Sequence, residues 1–75
     1  MAEIDRVRWQ CRRGLLELDV VLTRFLDRHF ETLSPLQRAA LNRLLGYADN
    51  DLWDFVTGKQ PPPDAETARI ISLFD

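Results

Sequence analysis

Cys11 and His29 are the chain's one cysteine and one histidine, so they form its only candidate pair for a thiol nucleophile with an imidazole base. A lone cysteine more often packs as a small apolar residue, and a lone histidine cannot build a zinc site from several imidazoles. We therefore expect no catalytic residues and no metal. A cysteine-dependent enzyme that uses Cys11 stays open as an alternative.

Three carboxylates, at Asp49, Asp51 and Asp54, are the other group that could bind a metal ion. Acidic residues are favoured in the first turn of a helix, and no glycine-centred calcium loop surrounds these three. No glycine-rich loop follows a strand to hold a phosphate either. The pattern predicts a helix start at this place and no cofactor bound by the chain itself.

The segment Arg12-Arg13-Gly14-Leu15-Leu16-Glu17 combines three charged residues with a glycine. On a continuous helix, Arg13 and Glu17 would form an exposed ion pair worth about 0.3–0.5 kcal/mol. Gly14 would cost about 1 kcal/mol inside that helix, so a corner between two helices is favoured, with glycine in a left-handed conformation. Such a corner would display Arg13 and Glu17 side by side, either as a solvated surface or as a contact for a partner.

Trp9 and Trp53 each stand beside a charged residue, Arg8 and Asp54 respectively. Tryptophan is most often a packing residue, but a partly exposed indole is also frequent at protein interfaces. Both interpretations remain open for the two residues.

Apolar residues recur at three- and four-residue steps, which predicts an all-α protein. Ser34 followed by Pro35 and Gln37 is typical of a capped helix start.

The predicted helices cover Ala2 to Arg12, Leu15 to Phe30, a segment after Ser34, Asp49 or Asn50 to Thr57, and a segment capped by Asp64. The residues predicted to face the core are Ile4, Val7, Cys11, Leu15, Leu18, Leu22, Phe25, Leu26, His29, Leu36, Ala40, Leu41, Leu44, Leu45, Ala48, Leu52, Phe55, Val56, Ala68, Ile71 and Phe74. We expect one domain, residues 1–75, folded as a compact bundle of four or five short helices.

The charge balance and the hydropathy narrow the functional class. Ten basic residues against twelve acidic residues give a formal net charge of -2, without the basic surface that nucleic-acid binding needs. No apolar run reaches the about 18 residues of a transmembrane helix, and the segment Met1 to Arg8 lacks the apolar region of a secretory signal. We expect a cytoplasmic protein, monomeric when free, that binds no nucleic acid and does not insert into a membrane.

The segment from Trp9 to Asp19 resembles the signature of the succinate dehydrogenase assembly factor 2 family, also called the bacterial FAD assembly factor SdhE family. The hallmark of that family is Arg-Gly-x-x-Glu, preceded by Cys-Arg and followed by Leu-Asp. The resemblance continues in register through Leu33-Ser34, Leu44-Leu45, Asp51-Leu52 and Gly58-Lys59. It departs in the fourth helix, where members commonly have a tryptophan and this chain has Phe55.

This resemblance implies a non-enzymatic assembly factor that binds the flavoprotein subunit of succinate dehydrogenase and promotes covalent attachment of FAD to a histidine of that subunit. Fumarate reductase is a further candidate client. The client then carries the FAD, and the chain needs no cofactor of its own. Transferred to the matching positions, the partner-binding residues are Arg13, Gly14 and Glu17, with Arg12 and Asp19 as neighbours.

Two other kinds of binding protein share the predicted fold. An antitoxin-like or regulatory module, an interpretation also attached to this family, would have a different partner and no effect on flavin content. A helix-turn-helix DNA-binding protein would read DNA with the third helix. The negative net charge, the long turn from Glu31 to Pro35 and the leucine-rich third helix disfavour DNA binding.

Overall fold

The computed structural model describes residues 2–74, and the regular structure in this range is entirely helical. In chain order the elements are α1 (Glu3–Gln10), α2 (Leu16–His29), a 3-10 turn (Phe30–Thr32), α3 (Pro35–Leu45), α4 (Asp49–Thr57) and α5 (Ala65–Ser72). The predicted all-α bundle is confirmed. None of these helices combines the length and the apolar character that crossing a membrane requires.

Two of the five helices begin with the caps that the sequence predicts. The Ser34 hydroxyl accepts the Gln37 backbone N–H at 3.2 Å, while the Gln37 side chain accepts the Ser34 N–H at 2.8 Å. At α5, the Asp64 carboxylate accepts the Thr67 backbone N–H at 2.8 Å, which holds the pKa of Asp64 below its usual value. These bonds satisfy N–H groups that have no partner inside the helix.

The helix ends agree with prediction to within a few residues. Gly58 ends α4 in the left-handed conformation, with φ +82°, as expected of a glycine that follows a helix. The first helix ends at Gln10 rather than Arg12, and α2 ends at His29 because the chain tightens into the 3-10 turn. The proline segment, residues 61–63, connects α4 to α5 without regular structure.

A single apolar core joins all five helices, and the packing of α3 against α5 is its most extensive helix–helix contact. The largest fully buried side chains are Leu18, Leu22, Leu41, Leu44, Leu52, Ile70 and Thr67. The predicted core was wrong at Leu15, Leu36 and Ala48, which are exposed. Each of these three residues lies at or next to the start of a helix. There the predicted apolar stripe extends one residue too far, and the extra side chain points to solvent.

The register of α5 also differs from the prediction. Ile70 and Thr67 are fully buried, whereas Ala68, Ile71 and Phe74 are only partly covered. Thr67 is polar and so falls outside an apolar stripe, but its hydroxyl donates to the Asp64 carbonyl at 3.0 Å. A satisfied hydroxyl can be buried without the usual desolvation cost.

The Ser34→Ala substitution should lower the free energy of unfolding by about 1 kcal/mol, because it removes the side-chain acceptor of the α3 cap. Urea denaturation followed by far-ultraviolet circular dichroism measures this change. Ser34→Asp keeps an acceptor at the same position and is the matched control, expected to stay near the wild-type value. Equal stability of the alanine variant and the wild type would contradict the role given to the capping box.

Candidate partner-binding site

The hallmark residues occupy a tight corner between α1 and α2, here called the α1–α2 corner and defined as residues 11–19. Gly14 has φ +83°, the left-handed conformation predicted for it. It lies within the connecting loop rather than directly after α1, since α1 already ends at Gln10. A Cβ built on Gly14 would have no atom within 4 Å, so the glycine serves the backbone conformation and leaves open space above it.

Asp19, in the first turns of α2, holds the loop in this shape. Its carboxylate accepts two backbone N–H groups, that of Arg13 at 3.0 Å and that of Gly14 at 3.2 Å. No side chain caps α2 directly. The carboxylate also lies near the positive end of the α2 dipole, where a negative charge is favoured. Asp19 therefore couples the path of the loop to the start of α2.

The Arg13 side chain reaches across the bundle to the connection between α3 and α4. Its Nε donates to the Asp49 carboxylate, its Nη1 donates to the Leu45 carbonyl at 2.9 Å, and its Nη2 donates to the Tyr47 carbonyl. Two carbonyls near the end of α3 thus gain a donor that the helix itself cannot supply. We call these three bonds the Arg13 clamp.

The Arg13 clamp corrects one detail of the sequence interpretation. Only 13% of the Arg13 side chain is exposed, and its charge is paired with Asp49 rather than with Glu17. The surface on which Arg13 and Glu17 stand side by side therefore does not exist as predicted. Arg13 and Asp19 are brought together at the corner, but both are turned towards partners within the chain.

The exposed part of the α1–α2 corner consists of the other predicted residues. The Glu17 side chain is exposed and has no hydrogen bond or ion pair with any other residue of the described range 2–74. Arg12 is also exposed, and its guanidinium lies 5.9 Å from the centre of the Trp9 ring, a cation–π distance. Trp9 itself is 70% exposed. Opposite charges and an aromatic surface are thus displayed around the open space at Gly14.

Cys11 lies beneath this surface and is unsuited to nucleophilic chemistry. It is buried, and burial raises the pKa of its thiol to about 11, despite the opposing effects of Arg13 and Arg8. The reactive thiolate is therefore scarce at neutral pH. His29 packs against Phe25 with ring centroids 5.4 Å apart and makes no hydrogen bond to Cys11. The structure does not bring the two residues together as a catalytic pair.

Two of the three carboxylates near the start of α4 have partners within the chain. Asp49 pairs with Arg13, and Gln60 donates to Asp51 at 3.5 Å. Within residues 2–74, no group of three His, Cys, Asp or Glu side chains is placed to hold a metal ion. Sequence reasoning missed that Asp49 and Tyr47 support the α1–α2 corner, because nothing local links residues more than thirty positions apart.

Residues 2–74 form a small all-α bundle that displays charged side chains at its α1–α2 corner. A family model described as "Flavinator of succinate dehydrogenase" matches residues 5–75. The chain belongs to this family.

Curated relatives agree with this assignment. The chain is 44% identical over 69 residues to the FAD assembly factor SdhE of Idiomarina loihiensis, covering 92% of this chain and 77% of the relative. It is 41% identical over 71 residues to that of Shewanella oneidensis, covering 95% and 87% respectively. It is 39% identical over 66 residues to that of Coxiella burnetii, covering 88% and 80%. No solved structure gives a significant match.

Arg13→Ala should lower the free energy of unfolding by about 2 kcal/mol, because two carbonyls and the Asp49 carboxylate lose their donor. Arg12→Ala, at the neighbouring exposed arginine, is the matched control and should change it by less than about 0.5 kcal/mol. Arg13→Lys should fall between the two, since an ammonium cannot reproduce the planar fork of a guanidinium. Urea denaturation measures all three, and equal losses for Arg12→Ala and Arg13→Ala would refute the clamp.

Gly14→Ala should cost about 1–2 kcal/mol of stability, because alanine is strained at φ +83° even though its methyl group meets no neighbouring atom. Gly14→Asn should lose less, since asparagine tolerates the left-handed conformation. Thermal melts of both variants, compared with the wild type, test this. If asparagine were as damaging as alanine, crowding rather than backbone conformation would explain the glycine.

Proposed function

We propose that this chain binds the flavoprotein subunit of succinate dehydrogenase and promotes covalent attachment of FAD to that subunit. The observation that carries the proposal is the match of residues 5–75 to the family of succinate dehydrogenase flavinators, with the family hallmark at an exposed corner. The relatives are bacterial FAD assembly factors by name, and the proposal extends that role to this chain. It acts as an assembly factor and not as an enzyme.

The geometry supports a division of roles at the α1–α2 corner. In the proposal, Arg12, Gly14 and Glu17 touch the client, because the two charged side chains are exposed and the space above the glycine is open. Arg13 and Asp19 fix the position of these three groups. Arg13 and Asp19 can contact the client only through atoms that are not already engaged in hydrogen bonds within the chain.

Glu17 is the residue on which the proposal concentrates. A carboxylate that is exposed and unpaired within residues 2–74 loses no internal interaction when a partner approaches. A cationic or N–H-rich surface of the client would give it charge-assisted hydrogen bonds, which are stronger than neutral ones. The open space at Gly14 lets the client backbone come close to the same point.

The assembly factor needs no reacting group of its own. In the proposed mechanism, the client supplies both the FAD and the histidine that becomes bonded to it. Binding at the corner favours a client conformation in which these two groups are held together, and such positioning can contribute large rate gains. We propose further that the free chain is monomeric and that it works in the bacterial cytoplasm.

Deletion of the gene should abolish the covalent flavin on the succinate dehydrogenase flavoprotein, measured as in-gel fluorescence. Wild-type chain should restore the signal, and Glu17→Ala should not, because the unpaired carboxylate of the corner is lost. Glu31→Ala is the matched control, since Glu31 is an exposed glutamate outside the corner, and it should restore the signal fully.

Unchanged fluorescence after deletion would contradict the proposed function. A different partner, as in the antitoxin-like or regulatory interpretation, would then be indicated. Rescue by Glu17→Ala as strong as rescue by the wild type would leave the function intact but would remove Glu17 from the contact.

A further inference from the structure

Exposed large apolar side chains are concentrated near the α1–α2 corner. Among residues 2–74 there are five of them: Trp9, Leu15, Leu16, Val20 and Leu36. Four of the five lie between residues 9 and 20, and only Leu36 stands elsewhere. A single exposed leucine is ordinary, but a concentration of this kind is typical of an interaction surface.

Leu16 and Val20 belong to the outward face of α2. They are 77% and 48% exposed and lie four residues apart, so their side chains are neighbours on the helix. Glu17 and Arg24 follow on the same side at helical spacing. The opposite side of α2 supplies the buried residues Leu18, Leu22, Phe25 and Leu26. The outward face is therefore largely left uncovered by the bundle and is continuous with Glu17 at the corner.

A shallow groove of about 470 Å³ continues this face along α2. It is lined by Asp19, Val20, Thr23, Arg24, Asp27 and Arg28. Its two carboxylates are already engaged, since Asp27 pairs with Arg8 at 2.6 Å and Asp19 accepts the N–H groups of the loop. The Arg24 side chain is exposed and makes no hydrogen bond or ion pair within residues 2–74. The groove thus offers an apolar side chain next to an uncompensated positive charge.

We infer that the outward face of α2, made of Leu16, Val20 and Arg24, is a second half of the client-docking surface. This inference rests on the proposed function. The occupant is a segment of the flavoprotein that places an apolar side chain on Leu16 and Val20 and a carboxylate near Arg24. Continuity with Glu17 and the unpaired charge of Arg24 favour this occupant over a second copy of the chain.

The apolar and the charged residues of the surface contribute different physical effects. Burying Leu16 and Val20 on association removes apolar area from water, which strengthens binding independently of salt. Arg24 and Glu17 are charged, so they orient the client and make binding depend on ionic strength. The complex should therefore keep part of its affinity at high salt, through the apolar part of α2.

The test uses isothermal titration calorimetry of the full chain with the FAD-free flavoprotein subunit of succinate dehydrogenase from the same organism. Leu16→Gln/Val20→Gln should raise Kd about tenfold or more at both low and high salt. Leu36→Gln, at an exposed leucine on α3, is the matched control and should leave Kd within about twofold. Arg24→Glu should weaken binding strongly at low salt and much less at high salt, whereas Arg24→Lys should retain most of the affinity.

Failure of the inference and failure of the proposed function give different results. If the wild type binds and Glu17→Ala weakens binding, but Leu16→Gln/Val20→Gln binds as the wild type does, the inference is overturned and the function stands. If the wild type does not bind the flavoprotein, both fail. Sedimentation velocity then shows whether the face joins two copies of this chain, which the double variant would separate. The exposed positions leave the fold intact, which urea denaturation of the double variant should confirm.

Discussion

The Arg13 clamp is the interaction on which the shape of the α1–α2 corner depends. Helix α3 ends with carbonyls that have no donor inside the helix, and the Arg13 guanidinium supplies one to Leu45 and to Tyr47. Its charge also meets Asp49 at the start of α4 and the negative end of the α3 dipole. The Arg13 side chain thereby joins the α1–α2 connection to the α3–α4 connection, which is distant in sequence. Without it, Asp19 would be the remaining residue whose side chain bonds to the loop around Gly14.

This arrangement explains why structural and exposed residues alternate so closely in the hallmark. Arg13 and Asp19 turn inward and satisfy backbone groups, while residues 14–17 between them face solvent. Gly14 permits the left-handed turn that makes this possible. A partner would therefore meet a surface whose position is set by hydrogen bonds within the chain, which lowers the entropy lost on binding.

The sequence predicts the helices well because their signals are local. The capping box of Ser34 and the left-handed Gly58 act within a few residues, and helical periodicity identifies most of the core. The Arg13 clamp could not be predicted, since its partners lie 32 to 36 residues away and nothing local distinguishes an inward arginine from its exposed neighbour Arg12. The buried Thr67 escaped a search for apolar stripes for a similar reason, because its hydrogen bond to Asp64 becomes visible only once α5 is in place.

A helper without reacting groups can change its client only through binding energy. It shifts a conformational equilibrium of the client by no more than the difference between its affinities for the two client states. An exposed charge such as Arg12 contributes orientation more than affinity, and in a 75-residue domain little internal stability is available to drive a rearrangement. An apolar surface on a helix already fixed by the core avoids both difficulties, because Leu16 and Val20 can be buried by a partner without any change in this chain. An assembly factor of this size would therefore need an exposed apolar face such as that of α2.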